Sequence, residues 1–480
     1  MDLLSLNDDI LSLIAALLSS RDALSLSRTS RKVHVMAKRH ALSTVELTSS
    51  GQLAAFCTYM LCDVSTHLLC LRSLKVTLSA VGVEDEGMID YASFNSASLL
   101  AALIGQASRL RCLSISCLDE LIKTEPHIGA AVASLPNLEK LELHEVGARA
   151  LDVVRRLRSR PRVLSLHHYG SKINSNPISY TLRNLQNLQI VRLSGIVWPE
   201  EDSAPVWTKP WLGVRELQVM YSEAPMTEFV RAFPNVRKLS IRGLYRIYDH
   251  VQEPLCWHSL DFIHIYQYDD LARWKITCPV FWLRYEQFGT YPQQIRNIVN
   301  AVRDMTPRIL SLTVCPISKI EFWTGLADVA SRLRYLDLRL GNLSRRSNSS
   351  YLAEWLDSMP PVLELNIICI RVGVDSRMVH RPLTPGHTTT QRPPLRLATS
   401  IPSLRYIALD HDIVSSGTTA LPMVENASWY RAWGPAEERQ VHTIPSHVGV
   451  RVHGYLHADD MESLEKLEEL FSPSEVARKD

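Results

Sequence analysis

The spacing L-x-x-L-x-L recurs along this 480-residue chain, and no other feature of the sequence restricts its fold as much. Leu138/Leu141/Leu143 is one copy. Others are Leu71/Leu74/Val76, Leu110/Leu113/Ile115, Leu188/Val191/Leu193, Val214/Leu217/Val219, Val236/Leu239/Ile241 and Leu260/Ile263/Ile265. The series continues at Ile309/Leu312/Val314, Leu333/Leu336/Leu338, Val362/Leu365/Ile367 and Leu404/Ile407/Leu409, with weaker copies around Leu164/Leu166 and Leu283/Tyr285. The last two apolar positions of each copy are two apart, so they point the same way from a strand. The first, three residues earlier, turns into the same core. One such unit cannot bury its apolar face alone, but stacked neighbours can.

Between the copies the apolar period changes to that of a helix. Ala97 to Ser108 puts Leu99, Leu100, Leu103, Ile104 and Ala107 on one face; Gln293 to Met305 and Ser349 to Met359 behave likewise. Prolines 136, 161, 234, 307, 361 and 402 sit between helix and strand, where a residue that cannot continue a helix acts as punctuation. Strand and helix alternating at intervals of roughly 20–29 residues predict an α/β leucine-rich-repeat solenoid. This is a curved horseshoe with strands on the concave face and helices on the convex face, expected over residues 48–415. Insertions interrupt it near 79–95 and 376–400, the second read as a flexible surface loop, and Trp198 to Trp211 is irregular. Residues alternating with the buried leucines should line the concave face. They are Glu142, His144, Arg192, Gln218, Ser240, Arg242, His264, Tyr266, Asp337 and Arg339. Arg, His and Tyr among them suit a surface that binds a protein partner, the alternatives being the 376–400 loop and the basic run Arg149 to Arg162.

The first 47 residues follow another period. Asn7 is a good N-cap, with Asp8 and Asp9 favouring the helix dipole, and Ile10, Leu11, Ile14, Leu17 and Leu18 follow one helical face. A second short helix can start at Ser20 or Asp22 and a third at Ser30. Three short helices cannot bury this apolar surface by themselves and need a partner or the adjoining array.

The stretch from Leu6-Asn-Asp-Asp-Ile-Leu through Ser30-Arg-Lys-Val to His40-Ala-Leu resembles the F-box, in the form found in mushroom-forming fungi. The match covers residues 5–47. Asn7 replaces the family's usual proline, and Val33 stands where many members carry Trp. The resemblance implies a three-helix F-box ahead of the repeats. It implies docking on a Skp1-type adaptor, and through it a cullin-RING ubiquitin ligase, with the repeats selecting a protein substrate. The adaptor-binding residues it implies are Leu6, Ile10, Leu11, Ile14, Leu17, Leu18, Ala23, Leu24, Leu26 and Val33. Such a chain is a non-catalytic adaptor with no cofactor. The alternative is a repeat scaffold acting outside a ubiquitin ligase, its N-terminal helices only capping the array.

The remaining features narrow the function classes. A net charge of +2 with 21% charged residues favours neither a nucleic-acid binder nor an acidic tail protein. No apolar run is long enough to span a membrane, and the N-terminus is unlike a signal peptide. Nine scattered cysteines without C-x-x-C spacing suit reduced thiols of a cytoplasmic or nuclear protein. Phosphate-loop, dinucleotide, nucleophile-elbow and zinc-protease motifs are missing. The histidines, including the His167/His168 pair and the group His447, His453 and His457, have no cysteine or carboxylate at ligand spacing, so no metal site is expected. The basic run Arg149 to Arg162 reads as a solvated helix face. Residues 416–480 read as a C-terminal capping segment, with an acidic amphipathic helix from Asp459 to Asp480.

Overall fold

The computed structural model describes residues 6–82, 96–168, 181–196, 209–223, 226–244, 256–267, 270, 274–286, 292–314, 320–340, 356, 364–374, 392–410, 427–435 and 438–458. It is a mixed α/β protein made of two compact units, Met1–Val236 and Arg237–Asp480. Among the described residues no helix is long and apolar enough to cross a membrane.

The first unit opens with three helices, α1 (Asp8–Leu17), α2 (Ser20–Ser27) and α3 (Arg31–Ser43). Each begins at a polar residue that accepts a backbone N–H. Asn7 Oδ1 takes Ile10 N at 2.8 Å, Ser19 Oγ takes Asp22 N at 3.2 Å, and Ser30 Oγ takes Lys32 N at 3.2 Å. Leu11, Ala15, Ala23, Val33, Ala37 and Ala41 are buried. The small residues among them let the helices approach closely.

Seven parallel strands follow in chain order: β1 (Thr44–Leu47), β2 (Ser73–Val76), β3 (Cys112–Ser116), β4 (Lys140–His144), β5 (Val163–His167), β6 (Ile190–Ser194) and β7 (Glu216–Met220). The two-apart apolar positions stack in register. Leu74, Leu113, Leu141, Leu164, Val191 and Leu217 form one ladder, and Val76, Ile115, Leu143, Leu166, Leu193 and Val219 the next. All are essentially inaccessible to solvent. β1 lies inside the stretch assigned to the N-terminal helices, yet Leu42/Val45/Leu47 is a further copy of the spacing, and Val45 and Leu47 extend both ladders.

Helices cover the ladder face: α4 (Ser50–Cys62), α5 (Ala97–Gln106), α6 (Leu118–Thr124), α7 (His127–Ser134), α8 (Ala148–Arg155) and α9 (Met226–Ala232). The α8 N-terminus is capped from the preceding crossover. The Asp119 carboxylate accepts the N–H groups of Gly147, Arg149 and Ala150 at 2.6, 2.9 and 3.0 Å.

The second unit repeats the scheme with β8 (Lys238–Arg242), β9 (Leu260–Ile265), β10 (Val280–Tyr285), β11 (Ile309–Val314), β12 (Tyr335–Leu340), β13 (Cys369–Val374) and β14 (Tyr406–Asp410), all parallel. Its crossovers carry α10 (Pro292–Met305), α11 (Ile320–Val329) and α12 (Arg392–Ser400). Two phases differ from the sequence expectation. In β11 the ladder uses Leu310 and Leu312 in place of Leu312 and Val314, a shift of two that keeps the same face. In β13 it uses Ile370 and Val372 in place of Leu365 and Ile367, an odd shift that exchanges faces. The continuous apolar run Ile367-Ile-Cys-Ile offered no unique phase. Arg392–Ser400, expected to belong to a flexible loop, is helical, with Leu397, Ala398 and Ser400 buried.

The end of this unit departs from the repeat. β15 (Ser428–Trp433) runs antiparallel to β14 and β16 (Gln440–Ile444) antiparallel to β15. Helix α13 (Ser446–His457) then packs on the sheet face opposite the ladders. There Trp282, Ile309, Tyr335, Cys369 and Tyr406 form a cross-strand row. Val452 and Leu456 are buried against this cluster, and the Tyr335 hydroxyl hydrogen-bonds His453 Nδ1 at 2.9 Å. Gly449 is where α13 crosses Trp429, and a Cβ there would overlap the indole. Alanine is about 1 kcal/mol better than glycine inside a helix. Gly449→Ala nevertheless should destabilise this unit by about 1–3 kcal/mol, because overpacking outweighs propensity. Thermal unfolding of the variant checks this, and a gain in stability would contradict the contact. The acidic helix expected from Asp459 to Asp480 lies outside the described residues, as do 83–95, 197–208 and 376–391; of Ser349 to Met359 only Leu356 is described.

Candidate functional site

Three surfaces carry the residues singled out in the sequence. The first is the outside of the N-terminal helices. Ile10, Leu17 and Leu24 are exposed there, with Leu13 at 66% and Val35 at 71%. Leu6, Ile14, Leu18 and Leu26 are half-buried. Leu11, Ala23 and Val33 are not on this surface: they are 2%, 0% and 2% exposed and hold the three helices together. Leu13 on α1 and Val35 on α3 were not among the expected docking residues. Ile10, Leu13 and Leu17 share one side of α1, at spacings of three and four residues.

The second surface is the strand face opposite the ladders. In the first unit the alternation rule places residues as expected. Glu142, His144, Arg192 and Gln218 are half-buried and lie off the ladder face. They are tied to each other and to neighbours by polar contacts. Arg192 Nη2 donates to Glu216 Oε1 at 2.8 Å, and Gln218 Nε2 to the Met220 sulfur at 3.0 Å. His144 Nε2 donates to Glu142 Oε1 at 3.1 Å, and Lys140 Nζ sits 2.9 Å from Glu142 Oε2. The His144 hydrogen bond holds the Glu142 carboxyl at about 2, so it is an anion at neutral pH.

The parallel register adds a residue the sequence reading had set aside. His167 is the strand partner of His144, and their rings stack with centroids 4.7 Å apart. One donor atom from each of Glu142, His144 and His167 lies within 4.8 Å of the other two. Burial lowers the His167 pKa to about 4. The missing carboxylate partner was two strand positions away across β4. Aligning Leu141 with Leu164 would have found it.

In the second unit this face divides. Ser240, Arg242 and Tyr266 are half-buried, with the Arg242 guanidinium 5.4 Å from the Tyr266 ring centre. His264 and Asp337, expected on an open surface, are 4% and 5% exposed. His264 lies 3.2 Å from Glu286 Oε1, and burial lowers its pKa. Asp337 belongs to a buried charge cluster. Arg371, with no exposed surface, is 2.7 Å from Asp410 and 3.9 Å from Asp337. Burial would raise the Asp337 pKa, but the guanidinium groups of Arg371 and Arg339 outweigh it and hold it low. Arg339 stays half-buried beside this cluster. Beneath α13, burial pushes His453 down to about 3, with His457 adding to the effect, so the covered face holds a neutral imidazole.

The third surface is a cleft of about 680 Å³ in the first unit, lined by Arg72, Arg109, Arg111, Arg158 and Arg160 with Pro136, Asn137, Leu138 and Glu139. Only Glu139 among these is acidic, 3.4 Å from Arg111. The basic run is therefore split. Arg155 and Arg156 pair with Asp152 on α8, while Arg158 and Arg160 join arginines from two other crossovers. Such a concentration of like charge attracts anionic groups. The chain matches no protein-family model, and no curated protein aligns with it at a significant level.

Proposed function

We propose that this chain is the substrate-recognition subunit of a Skp1-cullin-F-box type ubiquitin ligase, a non-catalytic adaptor with a three-helix F-box and a leucine-rich-repeat solenoid. The observation that carries the reading is the exposed apolar set Ile10, Leu13, Leu17, Leu24 and Val35 on a bundle that already has its own core. Side chains of this kind on the outside of a small helical module are stabilised when a partner covers them. The F-box resemblance of residues 5–47 names that partner as a Skp1-type adaptor. The strand face of the first unit, with Glu142, His144, Arg192 and Gln218, is the proposed concave surface for a protein substrate. In the second unit Ser240, Arg242, Tyr266 and Arg339 extend the proposed contact residues, whereas His264 and Asp337 are too buried to serve.

The test is capture of the full chain by purified Skp1. Wild type should be captured. Leu13→Asp and Leu17→Asp should each weaken capture at least tenfold, about 1.4 kcal/mol or more, because a carboxylate forced into an apolar interface loses its water without a partner. Both positions are exposed, so the fold should be unaffected, and circular dichroism checks that. Absence of capture by wild type would leave the scaffold reading, in which the same helices only cap the array.

A further inference from the structure

We infer that Glu142, His144 and His167 form a binding site for a divalent transition metal of the zinc class. Two imidazoles and a carboxylate are the donor set that borderline metals prefer, whereas magnesium and calcium favour all-oxygen sites. The three side chains come from two adjacent strands, with Glu142 and His144 two apart on β4 and His167 opposite His144 on β5. Strand pairing thus fixes all three Cα positions before any metal arrives, which reduces the ordering that binding requires.

The donor atoms lie within 4.8 Å of one another, wider than the spacing in a tetrahedral shell with bonds of about 2.0–2.2 Å. Rotation about the last side-chain torsion is the movement that brings the donor atoms closer. That torsion is broad for histidine, so the rings can turn from stacked to convergent.

A second observation points to the same place. His167 Nδ1 is buried without a hydrogen-bond partner, and so are the hydroxyls of Ser165 and Ser194. Both serines are 1% exposed. In the register Ser165 is opposite Glu142, and Ser194 is opposite His167. Three unpartnered polar atoms grouped on one sheet face form a deficit that a metal ion with its bound water would fill. The side chains of Glu142 and His144 are 24% and 27% exposed, so an ion can enter from solution and keep an open coordination position. Lys140, 2.9 Å from Glu142 Oε2, opposes a second positive charge and limits affinity, but it leaves Oε1 facing His144. This site stands whether or not the face captures a ubiquitination substrate.

The test is titration of the full chain, stripped of metal by a chelator, with Zn²⁺ against a competing chromophoric chelator. Wild type should bind about one Zn²⁺ at this site, and excess Mg²⁺ should not displace it. Glu142→Gln, which preserves shape and the contact with His144, should weaken binding roughly tenfold or more, as should the pair His144→Ala and His167→Ala. His127→Ala, at an exposed histidine on α7, should change nothing. Circular dichroism without metal checks that each variant is folded. Failure of wild type to bind Zn²⁺ overturns the site. So does unchanged affinity in both variants, which would assign the zinc elsewhere, for example to the hydrogen-bonded thiols of Cys256 and Cys278.

Discussion

Arg371→Ala should lower the stability of the Arg237–Asp480 unit by about 3–5 kcal/mol. The guanidinium is fully buried between Asp410 at 2.7 Å and Asp337 at 3.9 Å. Its Nε and Nη1 atoms have no hydrogen-bond partner, so the cluster is not an optimised network. Burying these ions is expensive, and their mutual attraction does little more than offset the desolvation. Removing only the cation changes that balance. Two carboxylates, 5% and 3% exposed, would remain in a poorly solvated interior without this guanidinium, and Arg339 beside Asp337 offsets only part of the loss. Urea unfolding followed through Trp282, Trp323 and Trp429 measures the loss. Combining Arg371→Met with Asp337→Asn and Asp410→Asn should recover most of it, because no fully buried ion then remains and Arg339 keeps access to solvent. A loss under about 1 kcal/mol for Arg371→Ala alone would contradict the burial of this cluster.

Leu141→Ala should cost about 2–5 kcal/mol, the range for emptying a leucine-sized volume in a close-packed core. Leu141 has no accessible surface and stacks between Leu113 and Leu164 in the first ladder. Its neighbour Glu142 points away from the ladder. It makes only half-exposed polar contacts, so Glu142→Ala should cost no more than about 1 kcal/mol. The difference between the two positions, read from thermal unfolding, tests the assignment of faces. Equal losses would mean that the strand register is wrong.

That face assignment was legible in the sequence because the signal is redundant. In β4 the pair Leu141/Leu143 has a period of two that no helix reproduces, and the same pair recurs in neighbouring crossovers. Legibility failed where the redundancy failed. β13 sits in a run of Ile and Cys with no polar residue to mark the phase, and an odd shift passed unnoticed. β1 carries the copy Leu42/Val45/Leu47, but it lies at the end of the stretch assigned to the N-terminal helices. β15, β16 and α13 contain no copy of the spacing, so residues 416–480 could be marked as a cap but not as a layer on the face opposite the ladders. Asp337 follows from this: alternation correctly removed it from the ladder face, but its burial beside Arg371 and the α13 histidines depends on groups distant in the chain. His167 illustrates the converse. Its proximity to Glu142 was implied by the strands at Leu141/Leu143 and Leu164/Leu166, but reading it required comparing registers between copies, not spacing within one.

The position of α13 has a consequence for biosynthesis. The row Trp282, Ile309, Tyr335, Cys369 and Tyr406 is assembled by strands that emerge from the ribosome in order, but its cover comes later. Tyr335 and His453 are 118 residues apart. At roughly 5–20 residues per second, the nascent sheet waits about 6–24 s with an aromatic face bare to water. During that interval it is a substrate for chaperones and a nucleus for aggregation, whereas the first unit, whose apolar ladders are covered crossover by crossover, has no comparable delay.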